Sequence, residues 1–240
     1  MKKQQLVTNS LKAINKYEMI QDNDTIAVGI SGGKDSLALL VMLSEYKKYF
    51  NNTINIIPIA VDIMGDNDYQ LLDDFITNEL NLKLDIVRTE INDIIFNVRK
   101  ESNPCSLCSK MRKSALFTRA EELGCNKVAL GHNKDDVLET FFMSLFEEGR
   151  LHTFPCNTYL DKTNVTIIRP MIYIEEKNII GFINKYDLAK YVIKNRCKAD
   201  GNTNREEMKN YLKSLRIKYD HIDDKLMGAI EKANIDGYKE

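Results

Sequence analysis

Apolar positions along the chain fall into two kinds of run that alternate. Thr25–Ile30 (TIAVGI) is short and continuously apolar and stops at Ser31-Gly32-Gly33, which reads as a buried strand entering a tight turn. Residues 35–49 follow, with Leu37, Leu40, Val41 and Leu43 near helical spacing. Residues 54–63 are β-branched and apolar, a second strand, and residues 69–80 carry Leu71, Leu72, Phe75 and Ile76 as a helical stripe. The pattern then predicts a strand over 84–87, a helix over 108–123 stopped by Gly124, a strand over 127–130 and a helix over 136–147. A short strand over 166–168 precedes Arg169-Pro170, and helices are predicted over 175–186 and 205–218. Strands alternating with helices of this length predict βαβ units, a parallel sheet and right-handed crossovers. The expected fold class is therefore α/β, and ligands in such sheets sit beyond the C-terminal ends of the strands.

Three parts are expected: an N-terminal helix over 1–20 with Leu6, Ile14 and Tyr17 as its apolar face, a main domain over 21–186, and a basic helical extension over 187–240. No internal repeat or low-complexity tract interrupts them. No apolar run approaches the ~18–20 residues that span a bilayer, and residues 1–10 are polar without an apolar h-region, so a cytosolic protein with no membrane partner is expected. Five cysteines in a reducing compartment are not read as a disulfide framework. The net charge of −1 gives no global sign of a nucleic-acid binder, but its distribution is uneven: residues 99–119 carry +5 and residues 185–218 carry +6. Solvated helix faces would explain either segment alone. Both also contain notable cysteines, which favours electrostatic positioning of RNA phosphates.

The strongest local signal is Ser31-Gly32-Gly33-Lys34-Asp35-Ser36, set between the first strand and the first long helix. Two glycines let the backbone turn sharply, and free N–H groups at the helix start point at an anion. A Walker A loop needs four residues between its glycines; Gly29 and Gly33 have three, and Lys34 is followed by Asp35. The dinucleotide fingerprint fails as well. The segment resembles the SGGxDS pyrophosphate loop of the ATP-pyrophosphatases at every defined position. That resemblance implies a PP-loop fold, a Rossmann-like three-layer sandwich of the adenine nucleotide alpha hydrolase kind. It also implies ATP held so that pyrophosphate leaves and AMP is transferred. Lys34, Mg²⁺ and backbone amides would then stabilise charge on the departing pyrophosphate, with Asp35 as Mg²⁺ partner or loop organiser. Asp62 ends the second strand, where such folds hold a ribose or adenylate; a turn residue explains it equally well. Gly131-His132-Asn133-Lys134-Asp135-Asp136 follows the fourth strand. Asp136 and Glu139 could be a capping pair for the next helix. The segment is also similar to the GH-[HN]-x-DD motif of a PP-loop subgroup, which implies nucleotide contacts from Gly131, His132, Asp135 and Asp136.

Cys105-Ser106-Leu107-Cys108 is a C-x-x-C at a helix start, where the dipole favours thiolates. It fits a redox pair, half a zinc site or part of an iron–sulfur site. No second C-x-x-C completes a zinc ribbon. Cys125 precedes an apolar strand and reads as structural; Cys156 and Cys197 lie in loops. Pro104–Arg112 (PCSLCSKMR), Leu123–Thr140 (LGCNKVALGHNKDDVLET) and Ile168-Arg169-Pro170 with Glu175-Glu176-Lys177, downstream of Ser31–Ser36, resemble the tRNA 2-thiocytidine synthetase family over about residues 20–215. The resemblance implies a [4Fe–4S] cluster on Cys105, Cys108 and Cys197, although members often carry a second C-x-x-C where Cys197 stands alone; Cys156 is the competing third ligand. It implies adenylation of the C2 oxygen of an anticodon-loop cytidine followed by sulfur replacement. The partners implied are tRNA and a sulfur donor such as a cysteine desulfurase, and a homodimer is compatible. Two rivals remain: a PP-loop sulfur transferase acting on another tRNA base or a small molecule, and a non-enzymatic iron–sulfur or zinc sensor that binds RNA.

Overall fold

The computed structural model of the chain describes residues 1–99, 104–193 and 204–239. Five strands run parallel: β1 (Thr25–Ile30), β2 (Asn55–Asp62), β3 (Asp85–Arg88), β4 (Lys127–Ala129) and β6 (Val165–Ile168). A sixth, β5 (Asn157–Leu160), pairs antiparallel with β6 at the sheet edge, giving the order β3-β2-β1-β4-β6-β5. The order reverses between β1 and β4. Consecutive residues of each strand face opposite sides, so Ile26, Val28 and Ile30 enter one core and Ala27 the other. The sheet is covered on both faces, as parallel sheets require.

The larger core lies under helices α1 (Lys3–Lys16), α2 (Lys34–Tyr49), α3 (Gln70–Leu80), α6 (Lys134–Glu148) and α7 (Glu176–Lys185). The smaller lies under a short helical stretch, α4 (Ile91–Asp93) running into a π-turn over Ile94–Val98, and the long α5 (Pro104–Glu122). The last helices, α8 (Asn204–Lys218) and α9 (Ile222–Lys232), contribute Leu212, Met227 and Ile230 to the larger core, and Tyr238 beyond them is fully buried there. The expected N-terminal helix and C-terminal extension thus share a core with the sheet. No helix among the described residues is long and apolar enough to cross a membrane.

Four elements differ from the sequence expectation. Helix α5 begins at Pro104, four residues before the expected start; proline suits a first helical turn, where its missing N–H costs nothing. Both cysteines of the C-x-x-C therefore sit inside the helix. Strand β5, helix α4 and helix α9 were not anticipated. β5 is short and half polar, and its hairpin turns through Asp161–Asn164, with Asn164 at φ 50°.

Candidate active site

Two loops leave the C-terminal ends of β1 and β4, the neighbouring strands at which the sheet order reverses, and a crevice opens between them. In the first loop Ser36 Oγ accepts from the Ser31 N–H at 3.2 Å and the Ser31 hydroxyl at 3.1 Å, and donates to the Gly33 carbonyl at 2.9 Å. Gly32 sits at φ +82°, and its carbonyl accepts the Ile193 N–H at 2.9 Å. The loop is thus tied internally and strapped by Ile193. Gly33 is the N-cap of α2, whose first N–H groups have no intrahelical partners and are available to an anion, and Asp35 and Ser36 of that first turn line the crevice. Lys34 Nζ lies 2.8 Å from Asp35 Oδ2 and 2.9 Å from Glu176 Oε1. Burial disfavours its charge, but these carboxylates outweigh that and raise its pKa.

The second loop touches the first backbone to backbone: a Cβ on Gly131 would come within 3.0 Å of the Asp35 carbonyl. Asn133 caps α6, its side chain accepting the Asp136 N–H at 3.1 Å while Asp136 Oδ2 accepts the Asn133 N–H at 2.9 Å. The capping pair is therefore Asn133 and Asp136, not Asp136 and Glu139, because the helix starts two residues earlier than expected. Glu139 instead joins Asp136 in binding Arg205 from α8, at 2.8 Å from Glu139 and 2.7 Å from Asp136. Asn133 Nδ2 also donates to Asp35 Oδ1 at 3.3 Å, joining the two loops. Burial raises the Asp136 pKa to about 6, against the opposing pull of Arg205.

The remaining expected residues divide. His132 lies in the crevice with its ring 4.6 Å from Phe154. Burial, then Arg169, Lys113 and Arg205, hold its pKa down to about 3, so it is a neutral imidazole. Its Nδ1 is buried without a hydrogen-bond partner among the described residues. Asp135 instead fastens helices: its carboxylate accepts the Glu176 N–H and Arg216 Nη2, both at 2.6 Å. Asp62 is fully buried and holds its own loop, accepting from Met64 N–H, Asn67 N–H, Asn67 Nδ2 and Arg88 Nη1. Cys105 is exposed and Cys108 half-buried in the first turns of α5. Cys125 and Cys156 are buried, and desolvation pushes both thiols up to about 11. Cys156 also lies in the larger core, across the sheet from α5. Cys197 lies outside the described residues.

The crevice holds about 400 Å³, with an apolar floor of Ile59, Val61, Leu116 and Leu130 and a polar mouth of Ser31, Asp35, Ser36 and Asp136. Among the described residues, four cations surround it. Arg112, Lys113 and Arg205 line it, and Arg169 lies buried behind His132, donating to the Pro155 carbonyl at 2.5 Å, with Nε unpartnered among the described residues. Burial, then nearby Tyr238 and Cys156 acting against it, leaves the Arg169 pKa lowered to about 10; burial and the neighbouring arginines lower that of Lys113. A polyanion would relieve this crowding. Sequence reading counted Arg112, Lys113 and Arg205 among residues that attract RNA and missed their place beside a nucleotide. The signal was present: Arg112 and Lys113 follow Cys108 and Ser109 by four, one helical turn down the same face. Much of the remaining charge in the two basic segments is engaged internally, Arg119 with Asp85, Lys209 with Glu176 and Arg216 with Asp223.

A family model for the PP-loop domain matches residues 3–212. The chain is 33% identical over 228 residues to the tRNA-cytidine(32) 2-sulfurtransferase of Pelobacter propionicus, covering 93% of this chain and 83% of the relative. It is 34% identical to the same enzyme of Dichelobacter nodosus, covering 92% and 83%. Among solved structures, the U34-tRNA thiolase NcsA from Methanococcus maripaludis, with its [4Fe-4S] cluster, superposes with a TM-score of 0.75 at 23% identity, covering 96% of this chain and 78% of that one. The NH3-dependent NAD synthetase of Campylobacter jejuni superposes at 0.52 and 17% identity, covering 98% and 95%. At these identities the two structures bear on the fold alone.

Proposed function

Because the chain belongs to the tRNA 2-thiocytidine synthetase family of PP-loop proteins, we propose that it thiolates a cytidine of a tRNA anticodon loop at the expense of ATP. ATP enters the crevice with its adenine over the apolar floor and its phosphates on the Ser31–Ser36 loop and the start of α2. The cytidine C2 oxygen attacks the α-phosphorus and pyrophosphate leaves, its charge met by backbone amides and by Lys34 once that lysine leaves Glu176. Asp35 and Asp136 would supply carboxylates to a Mg²⁺ bound with the nucleotide. Sulfide then adds at C2 and AMP departs with the former oxygen, so one ATP exchanges one oxygen for one sulfur. A donor such as a cysteine desulfurase provides the sulfur, and a cytoplasmic setting follows from the substrate; a homodimer is compatible with this reading.

The cysteines fit a cluster as the family uses it. Cys105 and Cys108 sit three residues apart at the start of α5, one exposed and one half-buried, whereas Cys125 and Cys156 are buried, Cys156 in the core on the other face of the sheet from α5. This burial favours Cys197 as the third ligand, four residues along the chain from Ile193, whose N–H is bonded to Gly32; four residues of chain can reach at most roughly 14 Å. Cys105, Cys108 and Cys197 would together hold a [4Fe–4S] cluster, which would supply iron chemistry for the incoming sulfur. The observation that carries the proposal is the shared helix: α5 holds the C-x-x-C and, a turn on at ~6 Å of rise, the Arg112 and Lys113 that line the crevice. Anaerobically reconstituted protein, given tRNA transcript, Mg²⁺, ATP and sulfide, is expected to release AMP and pyrophosphate and to yield 2-thiocytidine by mass spectrometry. Release of ADP and phosphate, or thiolation of a different base, overturns it.

A further inference from the structure

A second cavity opens beside the first. It holds about 510 Å³ and lies between α5 and the β5–β6 hairpin, sharing Lys113 with the ATP crevice. Its floor is apolar, with half-buried Phe117 and Leu160. Its rim carries Lys110, Lys113 and Lys162, none in an ion pair among the described residues, against the single carboxylate of Asp161. Thr163 Oγ1, at the hairpin turn, is buried without a hydrogen-bond partner among the described residues. An aromatic floor, an orphaned hydroxyl and uncommitted lysines are what an unstacked nucleotide requires: a stacking face, a partner for a base edge and cations for the flanking phosphates.

We propose that this groove docks an unpaired nucleotide of the RNA substrate next to the one being modified. The proposal rests on the tRNA reading above and deepens it. Four of the other basic side chains of α5 and α8 are committed to carboxylates: Arg119 pairs with Asp85, Arg205 with Asp136 and Glu139, Lys209 with Glu176, and Arg216 with Asp135 and Asp223. Lys110 and Lys162 are exposed and in no ion pair among the described residues, on either side of the groove, and Lys113 lines both the groove and the crevice. A base in the groove would leave its neighbour in the strand at the mouth of the ATP site, beneath the thiols one turn up α5.

The test uses the full chain, a tRNA transcript and its isolated anticodon stem-loop, with Lys110→Glu, Lys162→Glu, their combination and Phe117→Leu, which keeps apolar bulk but removes the ring. ATP affinity and thermal unfolding report on the crevice and the fold. The double charge reversal is expected to weaken RNA binding at least about tenfold and to flatten the plot of log affinity against log salt by roughly 1.4, two phosphates at about 0.7 each. Phe117→Leu is expected to lose roughly tenfold with an unchanged salt slope. ATP binding stays as in the wild type. If the wild type binds and thiolates RNA and the variants do so equally well, the groove is wrong and the function stands. If the wild type itself binds no RNA at low salt, both fall. Variants that keep RNA affinity but lose binding of a cysteine desulfurase overturn the proposal in favour of a protein partner.

Discussion

Lys34 Nζ lies 2.9 Å from Glu176 Oε1, so the lysine of the phosphate loop is tied to the first residue of α7. Lys209 of α8 holds the same carboxylate at 2.6 Å. A triphosphate in the crevice must draw Lys34 away from Glu176. Glu176→Gln is therefore expected to tighten Mg·ATP binding about two- to fivefold, the scale of one partly exposed ion pair. Lys34→Ala is expected to weaken it. Titration calorimetry decides: if Glu176→Gln weakens binding, the carboxylate supports the occupied site and does not compete for the lysine.

Asp136 gives the site a pH dependence with two opposite signs. Its folded pKa is raised to about 6 from 3.8, chiefly by burial. The folded protein therefore holds this proton more tightly than the unfolded chain. The corresponding stability is present below the unfolded value and is lost as pH rises through about 6. Binding of Mg·ATP runs the other way, because the proposed cation partner is the carboxylate. Affinity should climb between about pH 5 and 7, and Asp136→Asn should remove that limb. His132, held near 3, is neutral throughout this range, so His132→Gln should leave the limb in place. A limb that disappears in the His132 variant and persists in the Asp136 variant would reverse the assignment.

The parallel sheet was legible because β1, β2 and β4 are apolar runs ending in glycine or aspartate turns, and the phosphate loop because two glycines and a helix start leave few alternatives. The roles of Asp62 and Asp135 were not legible. A carboxylate at a strand end has the same sequence signature whether it faces a ligand or, like Asp62, accepts three hydrogen bonds from its own loop and a fourth from Arg88 of β3. The cation cage was half legible: Arg112 and Lys113 follow the C-x-x-C at helical spacing, but Arg205 reaches Asp136 from 69 residues away, through packing that local pattern does not encode.

The cysteines can be sorted by accessibility before any cluster is loaded. Cys105 is exposed, whereas Cys156 is 2% exposed and Cys125 5%. Alkylation of the cluster-free native protein should modify Cys105 rapidly, with Cys125 and Cys156 reacting only on unfolding. Cys156→Ala removes a neighbour of Tyr17 and Tyr238 and should cost about 1–3 kcal/mol, yet the reconstituted variant should keep its iron–sulfur absorbance. Alanine at Cys105, Cys108 or Cys197 should abolish the absorbance. Retention of the absorbance by Cys197→Ala would remove that residue from the ligand set.

Three glycines separate backbone strain from damage to the site. Gly124 ends α5 at φ +70°, and an alanine methyl there would meet nothing within 4 Å, so Gly124→Ala should cost only the left-handed conformation, about 1–2 kcal/mol, and leave ATP affinity unchanged. Gly32→Ala incurs the same conformational cost at φ +82°. It also brings a methyl to 3.0 Å from Ile193 Cβ, so it should lower the melting temperature further and loosen the strap over the phosphate loop. Gly131 has no positive φ to defend. Its methyl would meet the Asp35 carbonyl at 3.0 Å and the Ser36 nitrogen at 3.1 Å, and backbone atoms cannot rotate away as a side-chain tip can. Gly131→Ala must therefore part the two loops by a few tenths of an ångström, stretching the 3.3 Å bond from Asn133 to Asp35. The expected result inverts that of Gly124: modest loss of stability with at least roughly tenfold weaker ATP binding, since misplacing a preorganised site by a fraction of an ångström is enough to cost that much. Equal effects of the Gly124 and Gly131 variants on ATP affinity would mean that contact between the loops does not organise the site.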